Sequence, residues 1–145
     1  LVQEIEEKTS AGLEKLKRNK ITIRANERDS LFLAAAKKNI EQAELSQIIE
    51  LLHDDALNLS PHLEKKTLFF CNPPYGERLE SHDLESLKEL YKGLGDMWKK
   101  KFKNQRAFLM TGRKELLNAV GLRTQKRHIL FNGDIECRMA EYNLY

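Results

Sequence analysis

A chain of 145 residues with 41% hydrophobic residues fits a single soluble domain whose core needs neither disulfide nor metal. Its net charge of +3 is compatible with an RNA partner without demanding one, and no apolar run approaches the roughly 20 residues that cross a bilayer. The acidic start, Leu1-Val2-Gln3-Glu4-Ile5-Glu6-Glu7, lacks the layout of a signal peptide, so the expected location is cytoplasmic.

In chain order, Val2 to Arg18 predicts a charged helix with Val2, Ile5, Leu13 and Leu16 on a sparse apolar face. Ile21 to Ala25 alternates and is β-branched, which predicts a strand. The polar cluster Asn26 to Ser30 follows, and Asp29 or Ser30 can cap a helix over Leu31 to about Ala43, with Leu33 and Ile40 as core candidates. Ile48 to Leu52 predicts the next strand, ending in His53-Asp54-Asp55-Ala56. After a polar loop containing Pro61, the continuous apolar run Thr67 to Cys71 predicts a central parallel strand covered on both faces. Asn72-Pro73-Pro74-Tyr75-Gly76 ends it, because prolines neither donate to a ladder nor enter a helix interior.

A long amphipathic helix is expected from about Asp83 to Phe102, its apolar face made by Leu84, Leu87, Leu90, Tyr91, Leu94, Met97, Trp98 and Phe102. Gly93 and Gly95 each weaken it by roughly 1 kcal/mol relative to Ala, which tertiary packing must offset. Ala107 to Thr111 predicts a strand, and Arg113 to Val120 a short helix closed by Gly121. His128 to Phe131 and Ile135 to Tyr142 predict two strands joined at an Asn132-Gly133 turn. Strands alternating with helices imply a parallel sheet between helical layers, here with an antiparallel hairpin at its end.

Cys71 and Cys137 form no CxxC pair, and His53, His62, His82 and His128 show no ligand spacing, so no metal is expected. Lysines at 99, 100, 101 and 103, and the group Arg123, Lys126 and Arg127, serve either as phosphate contacts or as a solvated helix end and loop.

The chemistry concentrates in Asn72 to Tyr75, at the carboxyl end of a buried strand, where ligands bind in open α/β sheets. An exocyclic amine on a base is a weak nucleophile because its lone pair is delocalised into the ring. Hydrogen-bond acceptors aimed at both N–H groups help as the nitrogen pyramidalises. The Asn72 side-chain oxygen supplies one, and the Pro73 carbonyl, held by the rigid Pro73-Pro74 corner, supplies the second. Tyr75 offers a ring on which an extruded base stacks. No strong base is required, since the proton can leave to water after transfer.

The stretch Cys71-Asn72-Pro73-Pro74-Tyr75-Gly76-Glu77-Arg78-Leu79 resembles the signature of the THUMP-associated RNA methyltransferases that modify guanine N2 in large-subunit ribosomal RNA. Leu90-Tyr91-Lys92-Gly93-Leu94-Gly95-Asp96 and Phe131-Asn132-Gly133-Asp134-Ile135-Glu136-Cys137-Arg138 resemble the same family, so the likeness runs from about Ile21 to the end of the chain. The resemblance implies a class I (Rossmann-like) α/β sheet whose last strand is antiparallel, S-adenosyl-L-methionine as cofactor, and RNA as partner. It also assigns cofactor contacts: Glu27 to the ribose hydroxyls with Asp29 as fallback, and Asp55 to the adenine amino group with the Ala56 backbone N–H beside it. Asn72 would lie at the cofactor as well as at the base. Asp29 reads equally as a helix cap. Asp55 has a polar turn as its lesser reading, and adjacent Asp54 could take over its cofactor role. Arg78 pairs with Glu77 or a phosphate, the structural ion pair being the favoured reading.

The resemblance further implies a first strand and a Gly-rich loop, and neither precedes Ile21 in this sequence. The chain is therefore expected to be one partial catalytic domain, residues 1–145, starting after that loop, with no second domain. The absent strand would sit between the strands at Ile21 and Leu68, so exposed sheet edges, self-association, poor cofactor affinity and no activity are expected of the chain alone. Two alternatives stay open: adenine-N6 methylation of DNA or RNA, and a non-catalytic methyltransferase-like RNA-binding module.

Overall fold

The computed structural model describes residues 2–18, 21–60, 66–75 and 84–145. Gly76, Glu77, Arg78, Leu79 and the loop at Pro61 lie outside the described residues. The chain divides into two compact units, Leu1–Ala56 and Leu57–Tyr145.

In the first unit, α1 (Val2–Arg18) precedes β1 (Ile23–Glu27), α2 (Ser30–Gln42) and β2 (Ile49–His53). The expected strand at Ile21 to Ala25 thus runs later, because pairing with β2 sets its register from Ile23 opposite Ile49 to Glu27 opposite His53. The pairing is parallel, so both strands deliver their carboxyl ends to one side. Asp29 caps α2, its Oδ1 accepting from the N–H groups of Leu31 at 2.8 Å and Phe32 at 3.2 Å. Leu33 and Ile40, expected in the core, are half-buried.

The second unit opens on a single 3-10 turn (Ala56–Asn58, whose first residue closes the preceding unit) and continues through β3 (Leu68–Cys71), α3 (Leu84–Lys101), β4 (Arg106–Thr111), α4 (Lys114–Ala119), β5 (Lys126–Asn132) and β6 (Ile135–Asn143). Its sheet has the order β3-β4-β6-β5. β3 and β4 are parallel, and β6 runs antiparallel to both neighbours, as expected of the last strand.

The apolar face of α3 packs on one side of this sheet. Leu87, Tyr91, Leu94, Met97, Trp98 and Phe102 are buried, with Ala107, Leu109, Ala140 and Tyr142 beneath them. Phe69 meets Phe102 edge-on at 4.4 Å between ring centroids, and Trp98 lies 6.0 Å from Tyr142. The offset for the α3 glycines lies at Gly95, where a Cβ would sit 1.8 Å from the Val120 carbonyl oxygen. Only a glycine lets α3 approach the end of α4 so closely.

Three expectations are corrected. The apolar run at Leu68 is not a central, doubly covered strand: among the described residues β3 is an edge paired only with β4, with Leu68 and Phe70 exposed, an open sheet edge of the kind also expected there. Lys126 and Arg127 lie in β5 and not in a loop. The hairpin turn is Gly133-Asp134, with Asn132 paired opposite Ile135 and Gly133 at φ +62°, the left-handed conformation glycine accepts without strain.

Candidate active site

The first set of predicted residues lies at the carboxyl ends of β1 and β2. Glu27 closes β1, and its Oε1 accepts the Asp29 backbone N–H at 2.8 Å, which leaves Oε2 clear of that bond. Asp29 spends Oδ1 on the α2 cap. Asp55 is half-buried, its Oδ2 lies 3.5 Å from Arg28 Nη1, and its N–H donates to Asp54 Oδ1 at 2.7 Å. Arg28 is fixed from its other side, the carbonyl oxygen lying 3.0 Å from His53 Nε2. Ala56 begins the 3-10 turn directly after. Two carboxylates at adjacent parallel strand ends can accept hydroxyl and amine hydrogens from a nucleoside, which is the chemistry expected of this side. Beside Glu27, Asn26 Nδ2 is buried without a hydrogen-bond partner among the described residues, a polar atom the sequence reading passed over.

The second set follows β3. The ladder stops at Cys71, opposite Leu109, and Asn72 to Tyr75 leave the sheet in neither strand nor helix. Asn72 and Pro74 are exposed, Pro73 is buried, and Tyr75 is half-buried. The buried proline anchors the corner while the Asn72 side chain stays open to solvent. Burial pushes the Cys71 thiol up to about 11, so it remains neutral under the corner.

Tyr75 is held by residues the sequence reading did not select. Its hydroxyl accepts from Asn132 Nδ2 at 2.9 Å, and the buried Cys137 Sγ lies 3.9 Å from the same oxygen. The ring edge fills the space in front of Gly112, where a Cβ would come within 3.0 Å of Tyr75 Cδ2 and Cε2 and 3.2 Å of Ile135 Cγ2. Gly112 also lines a polar cleft of about 360 Å³ with Arg113, Lys114, Glu115, Glu136 and Arg138. Within it, Arg138 pairs with Glu136 at 2.5 Å.

Two of the lysines at the end of α3 have structural work. Lys101 donates to the carbonyls of Asn58 and Leu59, and Lys99 reaches Asp96 at 3.3 Å.

A model of the RMKL-like methyltransferase domain family matches residues 2–141. The ribosomal RNA large subunit methyltransferase K/L of Shewanella baltica (strain OS185) is 35% identical over 145 residues, a match covering 100% of this chain and 20% of that protein. This chain therefore spans about a fifth of that curated relative (20%). The crystal structure of a possible methylase from Clostridium difficile 630 superposes with a TM-score of 0.76 at 30% identity, over 86% of this chain and 32% of that one. The N-terminal domain of human METTL16, solved in complex with SAH, gives a TM-score of 0.57 at 23% identity over 86% of this chain and 52% of that one, a likeness of fold.

Proposed function

The chain belongs to the RMKL-like methyltransferase domain family, and from that premise we propose that it forms part of an enzyme that methylates an exocyclic amino group of a base in RNA. Guanine N2 of large-subunit ribosomal RNA is the target we favour. The observation that carries the proposal is the corner after β3, with Asn72 open to solvent on a buried Pro73 and the Tyr75 ring beside it. The 35% identity to the Shewanella ribosomal RNA large subunit methyltransferase K/L supports ribosomal RNA as the substrate.

On this reading Asn72 and the Pro73 carbonyl accept the two amine hydrogens, the base stacks on Tyr75, and Pro74 stiffens the turn. S-adenosylmethionine, when bound, supplies the electrophilic methyl group. Glu27 would hold its ribose, with Asp29 as fallback; Asp55 and the Ala56 N–H would hold its adenine, and Asn72 would border it. The strand-end carboxylates fit this role by their chemistry, and Glu27 keeps one oxygen clear of its bond to Asp29. The SAH complex of the METTL16 domain, similar in fold, supports the cofactor. The same reading makes the chain one portion of a longer catalytic polypeptide, supported by its coverage of 20% of the relative, and an enzyme of ribosomal RNA would act in the cytoplasm.

The test is Asn72→Ala in the whole enzyme. Turnover should fall by roughly a hundredfold or more, as for loss of a transition-state hydrogen-bond group, while calorimetric cofactor affinity barely moves. Equal loss of both would show that Asn72 serves the cofactor and not the amine. Mass spectrometry of ribosomal RNA from cells lacking the gene should show loss of a methyl group at guanine N2. Loss at adenine N6 would transfer the activity to that base.

A further inference from the structure

We infer that Asn132, Gly112 and Ile135 form a seat that fixes the Tyr75 ring, making them positioning residues for the surface on which the extruded base stacks. The inference rests on the reading of the corner given above and extends it to residues from β5, β6 and the end of β4.

The Tyr75 hydroxyl accepts from Asn132 Nδ2 at 2.9 Å, so its placement is set by the hairpin and not by the turn that carries it. Asn132 reaches it because it is the last residue of β5, paired with Ile135, and its backbone is locked in the ladder. The ring edge is set by Gly112. No positive φ demands a glycine there, yet a Cβ would stand 3.0 Å from two ring carbons. Space for the ring, not backbone conformation, therefore explains the glycine. Ile135 closes the same space at 3.2 Å from that Cβ position, and Cys137, fully buried, lies behind the hydroxyl. A ring on an irregular segment after two prolines would otherwise rotate about its own side-chain bonds. Holding it before the base arrives removes an ordering cost from binding.

The seat is tested by a double-mutant cycle on kcat/KM in the whole enzyme. Asn132→Ala and Tyr75→Phe delete the same hydrogen bond, so each should lower kcat/KM for RNA by roughly fivefold, as one such bond is worth. The double substitution should lose no more than either alone, and cofactor affinity should stay fixed throughout. Gly112→Ala, which displaces the ring itself, should lose more than Asn132→Ala. An Asn132→Ala loss of equal size in both backgrounds overturns the seat, as does a fall in thermal stability with kcat/KM unchanged. Full turnover in Asn72→Ala beside a coupled Asn132/Tyr75 pair would remove the amine-acceptor reading and leave the seat standing.

Discussion

Glu27 and Asp29 are joined by a hydrogen bond, Glu27 Oε1 accepting the Asp29 N–H at 2.8 Å, while Asp29 Oδ1 accepts from the first turn of α2. The two carboxylates therefore carry different loads. Glu27→Gln keeps an oxygen for the Asp29 N–H and removes the charge. It should weaken S-adenosylmethionine binding by roughly tenfold or more, the worth of a charged hydrogen bond, with the unfolding midpoint nearly unmoved. Asp29→Ala should lower stability by about 1 kcal/mol, the usual worth of a cap, whereas Asp29→Asn caps as well and should leave both stability and affinity intact. Urea unfolding and calorimetry on the same variants decide it. A drop in affinity for Asp29→Asn would move the ribose contact to that residue.

The two glycines of α3 should respond differently to alanine. Helix propensity alone favours Ala at both by roughly 1 kcal/mol. At Gly95 the new Cβ would meet the Val120 carbonyl oxygen at 1.8 Å, and a backbone atom in a packed helix end cannot retreat. Gly95→Ala should therefore destabilise the fold by about 3 kcal/mol or more. At Gly93 the nearest atoms are the Leu57 methyl groups at 3.2 Å, which can rotate aside, so Gly93→Ala should be close to neutral. Denaturation midpoints for the pair give the contrast; equal losses would show that Leu57 is as immovable as the backbone.

These contrasts mark what the sequence can and cannot disclose. The order of strands and helices was legible because α3 repeats its apolar residues at helical spacing and the strands alternate or run apolar. The corner Asn72 to Tyr75 was legible because two adjacent prolines have few other uses after a strand. Which strand is central was not legible in composition. Leu68 to Cys71 is apolar throughout, which does not say how many neighbours pair with it; the open edge followed only from the resemblance, and among the described residues only β4 pairs with β3. Asn-Gly is a strong hairpin signal and by itself predicts a turn at Asn132. The turn slipped by one position, to Gly133-Asp134, which freed the Asn132 side chain to meet Tyr75. Such a contact joins residues far apart in the chain and leaves no local pattern.

Cys71 gives a pH dependence of definite sign. Burial raises its thiol from 9.0 to about 11, so the unfolded chain loses the proton first. Below about pH 9 the contribution to stability is fully present, and it is lost as pH rises from about 9 to about 11. Tyr142, raised by burial to about 12, and Tyr91, raised further, add losses of the same sign starting from 10.0. Cys71→Ala should lower stability at neutral pH but flatten the early part of this decline. Urea midpoints measured across that range for both proteins provide the check. Parallel curves would mean that the tyrosines alone account for the slope.

The edge strand β3 should make the chain by itself associate. Leu68 is 49% exposed and Phe70 68% exposed, the latter stacked on Phe108 at 5.0 Å. Its four residues, Leu68 to Cys71, carry no charge to discourage another strand from pairing with the open side. The opposite edge, β5, is equally rich in exposed apolar residues, with Ile129 62% and Phe131 71% exposed. It differs in carrying exposed Lys126 and Arg127, which repel a second copy of themselves. Sedimentation over a range of concentrations should therefore show a rising mass for the unmodified chain. Phe70→Lys places a charge on the unguarded edge and should return the chain to a monomer, whereas Phe131→Lys should change little. The reverse outcome would assign association to β5, and with it the conclusion that apolar side chains outweigh the two basic ones at a sheet edge.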